Sequence, residues 1–91
     1  MRWLACYDIA DDTRRERLVK ILLDYGQRVQ ESVFWLDADD DLLERMRQRA
    51  QHAIEPHEDS LWLVPVCDAC AKKIAATGAT RVPELPEFYV V

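Results

Sequence analysis

Hydrophobic residues along the chain recur with two periods, one typical of strands and one typical of helices. Trp3–Ile9 is a short, nearly continuous apolar run, which predicts a strand buried on both faces inside a sheet. Thr13 and Glu16 have the spacing of a helix-capping box, and Gly26 predicts the end of that helix. The apolar stripe between them consists of Leu18, Ile21, Leu22 and Tyr25. The chain is therefore predicted to open with a strand and a helix.

The next two segments continue this alternation. Arg28–Leu36 contains β-favouring residues interrupted by a polar stretch, which predicts two short strands joined by a tight bend. The acidic triplet Asp39–Asp41 precedes apolar residues at helical spacing, so a second helix is predicted from there to Pro56. Three consecutive carboxylates point in different directions at a helix start, so capping explains them better than a metal site does.

The last third of the chain predicts shorter elements. Leu61–Val66 reads as a strand, and its internal Pro65 favours an edge or a bulge because proline cannot donate a hydrogen bond to a neighbouring strand. Asp68–Thr77 predicts one or two helical turns. Pro86–Val91 predicts an additional small strand at the C-terminal end of the sequence.

This order of elements predicts an α+β fold of the ferredoxin-like split βαβ type (βαββαβ) with an appended C-terminal strand, in a single domain over residues 1–91. In such a fold the helices cover one face of a four-stranded sheet and leave the other face bare. A domain of this size buries a limited share of its surface, so a second copy related by a two-fold axis is the expected cover. We therefore expect a homodimer.

Composition narrows the class of protein. The chain is 49% hydrophobic and 32% charged with only two glycines, which is typical of a folded domain and excludes a glycine-rich phosphate loop. No apolar run approaches the ~20 residues that span a bilayer, and no secretory signal is apparent, so a cytoplasmic location is expected. Three cysteines in such a chain predict reduced thiols. Cys67 and Cys70 form a lone CxxC, for which structural thiols are favoured over a zinc or redox role.

Charge is unevenly distributed. The formal net charge is −5, which argues against binding of nucleic acid through overall attraction to phosphate. Residues 13–30 nevertheless carry five basic and two acidic side chains, a local charge of +3, and the rest of the chain carries −8. Two interpretations of this segment remain open, a basic patch and the solvated face of a helix. The basic residues are Arg14, Arg15, Arg17, Lys20 and Arg28.

Asp8 is the strongest candidate for a catalytic or metal-binding residue. It ends the predicted central strand, where a buried carboxylate is costly unless it is hydrogen-bonded, paired or bound to a cation. In a two-fold dimer, one Asp8 from each chain could form a site for a hard divalent ion such as Mg²⁺. The alternative is a purely local role, in which Asp8 caps the following loop or pairs with an arginine.

Other catalytic templates are weaker. Ser32 and Ser60 lack a nucleophile-elbow sequence, and His52 and His57 are expected at the surface without a group to orient them. The tryptophans could stack on bases, but core or interface positions are the more common use of aromatic residues in a small domain. These are Trp3, Trp35 and Trp62.

A set of linked motifs resembles the small CRISPR-associated endoribonuclease family of the spacer-acquisition machinery. The resemblance covers residues 7–34 and continues more loosely through Trp62–Cys67. Trp35 departs from the pattern, because many relatives carry an acid after Ser-Val-Phe. The motifs are Tyr7-Asp8-Ile9, Asp11-Asp12-Thr13-Arg14-Arg15, Leu18–Leu23, Tyr25-Gly26, Arg28-Val29-Gln30 and Ser32-Val33-Phe34.

This resemblance implies a ferredoxin-like homodimer that acts in antiviral defence. It implies that Asp8 of each chain binds a divalent metal, Mg²⁺, at the two-fold axis and is the catalytic residue, with Tyr7, Ser32 and Phe34 as neighbours. It further implies that the dimer bridges pairs of the CRISPR-associated integrase and holds duplex DNA. The residues to which phosphate contacts are carried over are Arg14, Arg15, Arg17 and Arg28.

Two functions from different classes follow. One is a metal-dependent endonuclease that hydrolyses RNA or DNA phosphodiesters, with Asp8 at the metal and arginines stabilising the added negative charge. The other is a non-catalytic DNA-binding adaptor that bridges integrase dimers through its edge strands. The adaptor is the alternative because a single carboxylate per chain is few for a nuclease that uses two metal ions.

Overall fold

A computed structural model describes residues 1–75 and 77 of the chain, and within them strands and helices alternate as the sequence predicts. Four strands form one antiparallel sheet. The elements are β1 (Arg2–Asp8), α1 (Asp12–Leu23), β2 (Gly26–Gln30), β3 (Val33–Asp37), α2 (Asp40–Ala53), β4 (Ser60–Val66) and the short α3 (Asp68–Ala71). The α+β class is therefore confirmed. The predicted strand Pro86–Val91 lies outside the described residues.

The strands lie in the order β2-β3-β1-β4. β1 is thus an inner strand, as its apolar run predicts, and Arg28–Leu36 contributes to two strands separated by a turn, also as predicted. β4 is an edge strand, which confirms the placement inferred from Pro65; this residue lies opposite Trp3 of β1. Among the described residues, no helix is long and apolar enough to cross a membrane.

The start of α1 differs from the prediction. Asp11, and not Thr13, is the N-cap, and its side chain accepts a hydrogen bond of 2.9 Å from the backbone N–H of Arg14. An aspartate caps at least as well as a threonine, so the first suitable side chain along the chain takes the position. The acidic start of α2 behaves as expected, because Asp39 accepts a bond of 2.8 Å from the N–H of Leu42.

Gly26 is not the stop signal of α1. The helix ends at Leu23, and the backbone N–H groups of Asp24 and Tyr25 close its last turn. Gly26 instead begins β2, where an added Cβ would lie 2.0 Å from the backbone oxygen of Trp35. A close approach of two strands therefore explains this glycine.

One face of the sheet is covered by α1 and α2. We call it the helix-covered face; its strand residues include Ala5, Tyr7, Phe34 and Leu36, all buried. Leu18 and Leu22 of α1 and Met46 and Ala50 of α2 complete this core.

The opposite face, which we call the open face, is only partly covered. Trp35 and Val66 pack against Ala71 of α3 at one end of it. Elsewhere on this face Leu4 and Cys6 are half-buried, and the β4 side chains are exposed, 68% for Trp62 and 41% for Val64. The sequence predicts the tryptophans in the core or at an interface; Trp35, which is 5% exposed, is a core residue, and for the exposed Trp62 the interface position stays the prediction. Within residues 1–75 and 77, the solvent-exposed Trp62 leaves an apolar area uncovered.

Candidate functional site

Asp8 is the last residue of β1 and lies opposite Ser60 of β4. Side chains alternate along a strand, so Asp8 shares the open face with Leu4 and Cys6. The residue is exposed, which corrects the expectation of a buried carboxylate: β1 is an inner strand, but Asp8 lies on the open face, which α1 and α2 do not cover. Among the described residues the Asp8 side chain has no hydrogen-bond or ion-pair partner, so both oxygens are available to a ligand.

A side chain of α1 fixes the loop that follows Asp8. Arg15 donates a hydrogen bond of 3.0 Å to the backbone oxygen of Ile9 and forms an ion pair with Asp12. Arg15 thus reaches back across the start of its own helix. The local interpretation of Asp8, as a cap of the following loop or a partner of an arginine, is not what the described residues show, because Asp11 caps α1 and Asp8 has no ion pair among them.

On its other side, the end of β1 contacts the turn between β2 and β3. The Tyr7 hydroxyl donates to the backbone oxygen of Glu31 at 2.9 Å, and the Tyr7 N–H donates to the oxygen of Ser32 at 3.1 Å. The structure therefore brings Tyr7 and Ser32 together beside Asp8. Tyr7 positions the turn through these two hydrogen bonds.

Phe34 connects this turn to the edge strand β2. Its ring centre is 6.3 Å from that of Tyr7, and the guanidinium carbon of Arg28 lies 5.4 Å from the ring centre of Phe34. A guanidinium over an aromatic face is held by the ring quadrupole without losing its hydrogen-bond donors. The donors of the exposed Arg28 thus face solvent.

Arg14 is the arginine most firmly held by the protein. Its Nε donates to Asp59 at 2.7 Å, and its terminal nitrogen donates to Asp59 at 3.2 Å and to Glu58 at 2.9 Å. The Asp59 side chain is fully buried and also accepts a hydrogen bond of 2.8 Å from the backbone N–H of Glu55. This pair joins the start of α1 to the turn that leads into β4. The sequence gives no signal for it, because the partners are far apart along the chain.

The pKa values follow these contacts. Hydrogen bonds from Arg14 and from the backbone of Glu55 lower the pKa of Asp59 below its ordinary value of 3.8, against the opposing effect of desolvation. The hydrogen bond to Asp59 in turn raises the pKa of Arg14. Both groups are therefore charged at neutral pH.

A shallow groove of about 320 Å³ runs between α1 and β2. It collects three basic side chains, Arg15, Lys20 and Arg28, beside one acid, Glu16. Arg17 lies outside this lining, is exposed, and has no side-chain partner among residues 1–75 and 77. The predicted basic patch is thus divided: Arg15 and Arg28 line the groove, Arg17 has no side-chain partner in the described part of the chain, and Arg14 is held by Asp59. Lys20 is a groove residue that the predicted contacts did not include.

Within the described part of the chain, no three His, Cys, Asp or Glu residues are grouped so that they could hold a metal ion. His52 and His57 are exposed, as predicted. Asp8 has the oxygen ligands that a hard cation requires, but one chain supplies a single such residue at this point.

The chain matches the family model described as CRISPR associated protein Cas2 over residues 1–74. It belongs to the Cas2 family. The predicted family resemblance is thereby confirmed, and the matched region includes Asp8, the turn beside it and the groove between α1 and β2.

Relatives and solved structures agree with this assignment. A protein of Thermus thermophilus named CRISPR-associated endonuclease Cas2 2 is 40% identical over 98% of this chain and 94% of its own length. CRISPR-associated endoribonuclease Cas2 1 of Chloroflexus aurantiacus is 36% identical over the full length of both. The crystal structure of Streptococcus pyogenes Cas2 superposes with a TM-score of 0.79 at 26% identity, covering 86% of this chain and all of the other.

Proposed function

We propose that this Cas2-family chain is a Mg²⁺-dependent endonuclease that hydrolyses RNA or DNA phosphodiesters and acts in spacer acquisition as a dimeric subunit of the CRISPR integrase complex. The names of its relatives, an endonuclease and an endoribonuclease, support the nuclease class. The observation that carries the proposal is the exposed Asp8 carboxylate, which has no partner among the described residues.

The proposed assembly is a homodimer of ferredoxin-like subunits. The strand order β2-β3-β1-β4 supports the ferredoxin-like arrangement, and the exposed Trp62 and Val64 support a second copy on the open face. Asp8 lies on that same face. Two chains that meet there around a two-fold axis would each contribute one Asp8, which supplies the second carboxylate that a single chain lacks.

In this dimer, the two Asp8 carboxylates would hold the metal ion. When bound, Mg²⁺ supplies positive charge that stabilises the negative charge developing on the attacked phosphate. Tyr7 and Ser32 keep the turn beside Asp8 in place, and Arg15 holds the loop that follows it. These contacts fix the backbone on both sides of the carboxylate, so its position does not depend on the ligand.

Substrate phosphates are proposed to contact the arginines of residues 14–28. These arginines differ in whether they must first break an ion pair within the chain. Arg17 has no side-chain partner among the described residues, and Arg28 holds only the Phe34 ring, so both can donate to phosphate oxygens without breaking an ion pair. Arg14 and Arg15 remain predicted contacts, but each would have to leave a carboxylate first. The groove adds Lys20 to the set.

The test compares nuclease activity of the wild type with Mg²⁺, with EDTA and with Asp8→Asn, on labelled single-stranded RNA and duplex DNA. We expect EDTA to abolish activity and Asp8→Asn to reduce it by about a hundredfold or more. Asp41→Asn, which alters an exposed acid in the first turn of α2, serves as the matched control and retains activity. Activity that persists in Asp8→Asn would contradict the assignment.

The alternative is a non-catalytic DNA-binding adaptor that bridges integrase dimers. The lack of any three-residue metal cluster among the described residues favours it, because it leaves one carboxylate per chain for catalysis. A wild type that is inactive on both substrates with Mg²⁺, yet binds duplex DNA and the integrase, would establish the adaptor function. Binding of DNA and integrase that survives in Asp8→Asn together with loss of cleavage supports the enzyme.

A further inference from the structure

Cys67 and Cys70 lie outside the proposed nuclease site. They stand at the start of α3, next to the end of β4 that pairs with Arg2, whereas Asp8 is at the other end of β1, roughly 20 Å away along the strand. Asp68 between them forms an ion pair with Arg2, whose side chain is buried. This contact attaches the start of α3 to the sheet.

The two thiols are neighbours across a single turn. Cys67 is the N-cap of α3, and its Sγ accepts a hydrogen bond of 3.4 Å from the backbone N–H of Cys70. Both residues are exposed, so reagents reach them from solvent. The arrangement has the spacing at which a CxxC sequence closes a disulfide within one turn.

The hydrogen bonds make the two sulfurs unequal. The N–H and the thiol of Cys70 lower the pKa of Cys67, and donation to Cys67 raises the pKa of Cys70. The thiolate is the nucleophilic form of cysteine, so Cys67 is the sulfur that attacks an external disulfide. Cys70 is the resolving thiol, which attacks the mixed disulfide formed on Cys67. Cys6, the remaining cysteine, is half-buried on the open face and has no neighbouring thiol among the described cysteines.

We propose that Cys67 and Cys70 form a reversible disulfide, with low-molecular-weight disulfides of the glutathione class as the oxidant. The Cys67 thiolate attacks one sulfur of the reagent, forms a mixed disulfide and releases one thiolate. Cys70 then loses its proton to that thiolate, attacks the Cys67 sulfur and expels the second thiolate. The protein pair loses two electrons, and the reagent is reduced to two thiols.

This pair of thiols differs from a zinc site in the number of ligands present. Tetrahedral zinc takes four ligands, and no third His, Cys, Asp or Glu joins these two thiols in the described part of the chain. The disulfide needs no further group. Its closure ties the first turn of α3, the segment whose Ala71 covers Trp35 and Val66 on the open face.

The experiment treats the full chain with oxidised glutathione and follows intact mass, with peptide mapping of the products. We expect the wild type to lose two hydrogen atoms, with a disulfide between Cys67 and Cys70, and to recover its mass under dithiothreitol. Cys70→Ser should retain one glutathionyl group on Cys67, because the resolving thiol is missing. Cys67→Ser should react more slowly than Cys70→Ser, because the remaining thiol is the one with the raised pKa.

Cys6→Ser is the matched control, and it should form the same disulfide as the wild type. A wild type that keeps a glutathionyl group on Cys67 or Cys70, or that reacts first at Cys6, overturns the proposal. Equal rates for Cys67→Ser and Cys70→Ser overturn the assignment of Cys67 as the attacking sulfur. Since both residues are exposed, the serine variants are expected to fold, which circular dichroism verifies.

Discussion

On the helix-covered face of β1, Ala5 and Tyr7 are buried, whereas on the open face Leu4 and Cys6 are half-buried and Trp62 of the neighbouring strand is 68% exposed. The same strands thus have a covered, buried face on one side and a partly exposed face on the other. The helix-covered face is completed within the chain by α1 and α2. The open face carries the features that a second molecule would use.

Charged side chains also differ between the two regions in whether they are paired within the chain. Near the helices, Arg14 and the buried Asp59 satisfy each other, so both have their partners within the chain. On the open face, Asp8 has no side-chain partner among the described residues. A charge that is paired internally stabilises the fold, while a charge left unpaired at low cost in solvent is free to bind. The contrast therefore distinguishes a charge pair that stabilises the fold from a carboxylate that is available for the proposed metal site.

The largest effect is expected from the core of the helix-covered face. Phe34→Ala removes a side chain that is 0% exposed, and we expect a loss of about 3–5 kcal/mol in the free energy of unfolding. Trp62→Ala, an aromatic truncation on the open face, should cost about 1 kcal/mol or less in the isolated chain. Urea unfolding at low protein concentration measures both. Similar costs at the two positions would mean that the open face is already packed in the single chain.

A substitution on the open face should instead weaken self-association of the protein. Trp62→Ala is expected to raise the dimer dissociation constant about tenfold or more, because an exposed tryptophan is typical of the residues that contribute most to interfaces. Sedimentation equilibrium over a dilution series measures this constant. Leu42→Ala, which truncates an exposed leucine on α2, is the control and should leave it unchanged. A wild type that remains monomeric at every concentration would refute the proposed dimer.

A smaller effect concerns pH and the internal pair. Because the pKa of Asp59 is lowered by folding, its ionised form stabilises the protein at pH values above about 4, and this contribution is lost as pH falls through the lowered pKa. Asp59→Asn removes the charge, so its deficit in unfolding free energy should be full at pH 7 and shrink below pH ~4. Urea titrations at several pH values measure the difference. A deficit that stays constant with pH would contradict the ion pair.

Hydrophobic periodicity predicted most of the fold and only part of the site. The inner position of β1 followed from its continuous apolar run, and the edge position of β4 followed from Pro65, because each depends on local chemistry. The partner of Arg14 could not be predicted, since the chain brings Asp59 to it only through the packing of α1 against the turn before β4. The role of Gly26 was missed for the same reason: its constraint is the approach of Trp35 from another strand.

The exposure of Asp8 could not be predicted from the sequence either. A carboxylate at the end of an inner strand is consistent with burial or with exposure, and the outcome depends on which face of the sheet it occupies and on what covers that face. The motifs around Asp8 nevertheless identified the family, which residues 1–74 confirm. Periodicity thus located the strand, and the linked motifs located the residue that the proposed function needs.

The smallest expected effect distinguishes the arginines of residues 14–28. Each phosphate contact contributes about 0.9 to the slope of log affinity for duplex DNA against log salt concentration, so Arg28→Ala should reduce the slope by about one. Arg14→Ala should reduce it by less, because Arg14 is held by Asp59 and Glu58. Arg47→Ala, on α2 and paired with Glu44, is the control for loss of one positive charge. Equal reductions for Arg14→Ala and Arg28→Ala would show that DNA draws Arg14 away from its buried partner.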